Sequence, residues 1–119
     1  MPWTLCTSGA AITKAGVNVN ATIVASGAAL EHWSDEAESS ACTLARSDVV
    51  TNFGTLTANG KEIFQEYCSG LIAQKIIGYE PEAIGSFSAT LRINLIEDNI
   101  TTVANMIKED KYKTYLGIT

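Results

Sequence analysis

Between Ala58 and Tyr79 the chain reads ANGKEIFQEYCSGLIAQKIIGY, and no other segment constrains the architecture as tightly. Ile63, Tyr67, Leu71, Gln74 and Ile77 recur at three- and four-residue steps, the period of one helix face. Phe64, Cys68, Ile72 and Ile76 form a second row beside them, and the second half holds few charges. A helix that is apolar over so wide an arc needs neighbours on several sides, so this one is expected at the centre of the core. Gly60 and Gly70 each cost about 1 kcal/mol relative to alanine in a helix interior. Close helix packing explains them, or, for Gly60, a later helix start.

Working outward, Thr57 opens this helix, and Glu80-Pro81-Glu82 closes it as a turn because proline has no amide hydrogen to give. A second long helix follows from Ser86 or Ser88. Ala89, Ile93, Ile96, Ile100, Val103 and Ile107 form one stripe, and Phe87, Leu91 and Leu95 form another next to it. Two stripes call for two partners: the central helix takes one, and the other falls to the Ser26 helix or to a neighbouring subunit. On the N-terminal side, Ser26 caps a helix running to about Arg46, with Leu30, Trp33, Ala37, Ala41 and Leu44 on its apolar face. Its opposite face carries Glu31, Asp35, Glu36 and Glu38, acids that complement the helix dipole at its N-terminal half. Ser47-Asp48 caps a brief helix through Val49, Val50 and Phe53, closed by Gly54. Thr7 or Ser8 starts a short helix ended by Gly16, and residues 17–24 read as an extended connector.

These elements predict an all-α protein, a small bundle of three to five helices over residues 1–110, with an extended C-terminal arm at 111–119. The length of 119 residues, with 46% hydrophobic and 18% charged, suits one packed domain. No apolar run approaches the roughly 18–20 residues that cross a bilayer, and the N-terminus lacks the basic start and apolar stretch of a signal peptide. Synthesis and retention in the cytoplasm, without export, is the expectation. Cys6, Cys42 and Cys68 are odd in number and far apart, so they are expected reduced and mostly buried. A net charge of −5 argues against general nucleic-acid binding, which rests on Lys and Arg neutralising phosphates.

The search for chemistry yields little. The one histidine, His32, pairs at helical spacing with Glu36, and a zinc site needs three or four ligands. G-x-S-x-G, H-E-x-x-H and Gly-rich phosphate loops are absent from the sequence. Carboxylate pairs such as Glu80 with Glu82 and Glu97 with Asp98 fall in turns or on solvent faces, where nothing perturbs them for acid–base work. No catalytic residue, metal or cofactor is therefore expected.

Residues 2–11 (PWTLCTSGAA), 34–38 (SDEAE) and 94–99 (NLIEDN), together with the order of helices and arm, resemble the head-tail connector or adaptor proteins of tailed bacteriophages. That resemblance implies a helical subunit of a homo-oligomeric ring, roughly twelve copies, in the neck of the virion. The ring would join the portal protein to tail or neck proteins and line the channel through which DNA passes without sequence-specific binding. It also implies that the C-terminal arm docks on the portal through Lys111, Tyr112, Lys113, Tyr115, Leu116 and Ile118, tyrosines being favoured at interfaces. The acidic face of Glu31, Asp35, Glu36 and Glu38 would then look into the channel, where like charge keeps phosphates from sticking. The alternative is a small helical regulatory or partner-binding protein acting as a dimer.

Overall fold

The computed structural model describes residues 3–15, 27–79, 86–109 and 116–117, with side chains described at all of these except 78–79, 86–90 and 92. The expected connector at 17–24 and the turn at Glu80-Pro81-Glu82 lie outside the described residues. Within them the protein is all-helical: α1 (Ser8–Ala15), α2 (Gly27–Ala45), a 3-10 turn (Phe53–Thr55), α3 (Ala58–Tyr79) and α4 (Ser86–Lys108).

The local signals explain the boundaries. The Thr7 hydroxyl accepts the Ala10 N–H at 3.1 Å and caps α1. Arg46 adopts a left-handed conformation (φ 55°), and the Ser47 N–H reaches back to the Cys42 carbonyl at 3.2 Å, so α2 ends in a Schellman-like turn without glycine. The expected brief helix after Ser47-Asp48 is instead a turn running into the 3-10 segment. Asp48 fixes it by accepting the Thr51 N–H at 3.1 Å and the Thr51 hydroxyl at 2.8 Å. Thr57 caps α3, its Oγ1 accepting the Gly60 N–H at 3.0 Å.

α3 lies at the centre, packed against α1, α2 and α4, as its wide apolar arc requires. Phe64, Tyr67, Cys68, Ile72, Ala73, Ile76 and Ile77 are all buried on it. α4 lays Ile96, Ile100, Val103 and Ile107 against the core. Gly70 is where the two helices approach: a Cβ there would meet Ile100 Cγ1 at 2.9 Å and Ile96 Cγ2 at 3.5 Å. Polar ties cross the same seams. Gln74 Nε2 donates to Glu97 at 2.7 Å, and Glu66 receives both Lys14 from α1 and Asn99 from α4.

Gly60 serves a different neighbour from the one expected of it. A Cβ at Gly60 would collide with the carbonyl of Leu116, which accepts the Thr57 N–H at 3.1 Å. Leu116 itself is 3% exposed and belongs to the core cluster, so at this residue the extended arm is corrected: the chain returns to the bundle. Burial of a leucine side chain stabilises by about 1.5–3 kcal/mol.

Candidate functional site

The acidic face of α2 divides in two. Glu31, Asp35 and Glu36 are exposed. Glu36 accepts Lys75 Nζ at 2.8 Å and stands 3.6 Å from His32 Nε2; the lysine bond holds its carboxyl below the ordinary value. Glu38 is not part of that face. It is 4% exposed, and its Oε2 accepts the Thr4 N–H at 2.7 Å and the Leu5 N–H at 2.9 Å. The reason is helical register: Leu30, Ser34, Glu38, Ala41 and Ala45 continue one buried row, and the polar members of that row meet backbone donors instead of solvent.

Ser34 completes the arrangement by accepting the Trp3 N–H at 3.0 Å. Trp3 turns into the left-handed region (φ 65°), so three successive amides at Trp3, Thr4 and Leu5 point at one side of α2. A buried carboxylate is tolerated only when hydrogen-bonded, and two backbone amides supply this. With these residues in place Leu5 and Cys6 enter the core. Burial, with Glu38 adding to it, pushes the Cys6 thiol up to about 11, and burial raises Cys68 further in the same direction. Both are poor nucleophiles for that reason. All three cysteines are free thiols, Cys6 and Cys68 buried and Cys42 partly exposed.

Two clefts open on the described surface. One, of about 600 Å³, lies between α2 and the following turn and is lined by Asp35, Glu38, Ser39, Cys42, Asp48 and Thr51. The other, of about 480 Å³, lies between α1 and α3, where Lys14 bonds Glu66 beside Thr13, Glu62 and Ser69. Among the described residues no group of three or more His, Cys, Asp or Glu is arranged to hold a metal ion. No described helix is long and apolar enough to cross a membrane.

The remaining feature is an outward apolar pair on α4, Leu91 and Leu95, with Met106 about three turns further along the same side beyond the exposed Asp98 and Thr102. Leu91 is 48% exposed, Leu95 70% and Met106 38%, while the opposite side of the same helix is buried. Leu91 and Leu95 belong to the second stripe of the sequence and are exposed, while the side chain of Phe87, its third member, lies outside the described residues. Of the six arm residues only Leu116 is described, and it is in the core; Lys111, Tyr112, Lys113, Tyr115 and Ile118 lie outside the described residues. The sequence reading missed the Ser34–Glu38 clasp, although two polar residues four apart inside an apolar row were a usable sign of it. No family model, no curated protein and no solved structure matches this chain.

Proposed function

We propose that this protein acts as a building block, a subunit of the neck of a tailed phage virion that joins the portal to the tail as a connector ring. The observation that supports this reading is the outward pair Leu91 and Leu95 on α4, with Met106 further along. Leucines at one-turn spacing on an otherwise well-packed helix are suited to docking against a neighbouring protein. In the ring, that pair meets the adjacent subunit, and Lys111, Tyr112, Lys113, Tyr115 and Ile118 reach the portal. The exposed acids Glu31, Asp35 and Glu36 line the DNA path, without Glu38. The work is mechanical and needs no cofactor.

Native mass measured alone and with the portal protein from the same genome tests the proposal. A defined complex with several copies, lost in Leu95→Asp, is the expected result. A stable dimer that ignores the portal transfers the α4 pair to the second reading, a dimeric helical regulator. Replacing Glu31, Asp35 and Glu36 by neutral residues should reduce DNA ejection; unchanged retention and ejection removes the channel role.

A further inference from the structure

The C-terminal contact at the start of α3 has the features of a recognition site already filled by its own ligand. Leu116 offers its carbonyl to the Thr57 N–H and buries its side chain in the core. Gly60 leaves the space which that carbonyl occupies. Gly117 is positive in φ (81°), and a Cβ there would stand 2.6 Å from Thr57 N, 2.8 Å from Thr55 O and 2.9 Å from Leu56 Cα. Both sides of the contact are therefore selective. The receiving side requires glycine at 60, and the entering side requires a leucine followed by a residue able to turn left-handed with no side chain.

We propose that this cradle, formed by Thr55, Leu56, Thr57 and Gly60, is a docking site for a Leu-Gly tail, and that the tail of a second copy fits it as the chain's own tail does. The second copy is the occupant to expect because it carries the same Leu116-Gly117, whose fit is on display. Among the described residues the contact includes one backbone hydrogen bond, one buried leucine and close approaches at two glycines, Gly60 and Gly117, all of which a second copy's tail can reproduce. Connection decides which tail wins. Residues 110–115 tether Leu116 to the end of α4, and a short tether gives an effective concentration on the order of millimolar. In dilute solution the chain's own tail occupies the cradle. Where copies are held side by side a neighbour's tail is also brought to high effective concentration and competes with the chain's own, and exchange links neighbours through the same contact. This site is separate from the α4 pair and holds whatever the larger assembly is.

Two full-length variants remove the competing internal contact from opposite sides. Leu116→Asp has an open cradle and a disabled tail; Gly60→Val has a blocked cradle and an intact tail. Each alone should keep its helical circular dichroism and its own native mass. Mixed, they should form a one-to-one pair that neither forms alone, and its absence between two folded variants overturns the proposal. Should either variant lose its helical signal, a labelled peptide of residues 110–119 is titrated against the milder Leu116→Ala chain. Saturable binding that weakens at least about tenfold when the peptide carries Leu116→Asp supports the site; for the comparison that follows, the chain and its Gly60→Val form are used only where both keep their helical signal. Equal binding to both chains, or to neither, overturns it.

Discussion

The two ends of the described chain are both fastened to the bundle, and they are fastened by opposite means. At the N-terminus, α2 supplies side chains, Ser34 and Glu38, and the bend Trp3–Leu5 supplies three backbone amides. At the C-terminus, α3 supplies a backbone amide and a missing side chain at Gly60, and the tail supplies a carbonyl and a leucine. The first fastening is polar and buried, so it is costly to break by halves. The second is mostly apolar and steric, so it weakens in proportion to the area it loses. One protects an entry into the core at Leu5 and Cys6; the other closes the start of the central helix.

The largest effect that separates them is expected at Glu38. Glu38→Ala takes away the carboxylate that accepts the buried Leu5 amide and the half-buried Thr4 amide, a loss of about 2–4 kcal/mol. Denaturant unfolding measures the loss, and hydrogen exchange should show the amides of Thr4 and Leu5 losing protection first. Glu38→Gln keeps a side-chain oxygen to accept and should recover more than half of the stability. Equal losses for Ala and Gln would mean that an acceptor oxygen at position 38 is not enough to hold the Trp3–Leu5 segment.

Leu116→Ala comes next, at about 2–3 kcal/mol, the low end for a buried leucine. Here the Thr57 amide should exchange faster while Thr4 and Leu5 keep their protection. If all three amides speed up together in either variant, the two fastenings belong to one cooperative unit and the contrast between them disappears.

Local signals in the sequence carry the bundle, and non-local partners carry most of what it did not reveal, the Asp48–Thr51 turn being a local exception. The central place of α3 follows from its apolar arc, the row Ile96, Ile100, Val103 and Ile107 from its spacing, and the His32–Glu36 pair from one helical turn. Gly70 as a point of close helix approach also stands. Glu38 reads as a solvent-facing acid because its partners lie 33 and 34 residues away, where no periodicity reaches. Leu116 reads as part of an arm because a single leucine in a tail of tyrosines and lysines has no pattern of its own, and its receptor is a glycine 56 positions earlier. Leu91 and Leu95 were legible as a stripe, but a stripe does not say whether its cover comes from the same chain. The candidate site was thus half visible: its apolar pair came from the sequence, and both fastenings came from the fold.

The smallest effect tests the N-terminal fastening from inside. Cys6 lies behind it at 4% exposure, and its thiol is raised from 9.0 to about 11. In the unfolded chain this thiol ionises near pH 9, while in the folded chain it stays neutral until about pH 11. Ionisation therefore favours the unfolded state through that window, so its contribution is fully present below pH 9 and is lost as the pH climbs towards 11. At about pH 10 the loss from Cys6 is on the order of 1 kcal/mol. Cys68 and Tyr67 are shifted in the same direction and add to the decline, whereas Lys14, lowered by burial, opposes part of it. Melting curves under reducing conditions across this range measure the sum, and Cys6→Ala isolates one member of it. That variant should start less stable at neutral pH, from the volume it gives up, yet lose less between pH 9 and about 11 than the parent does. Parallel curves would place the Cys6 thiol in contact with water, and with it the Trp3–Leu5 segment that Glu38 holds down.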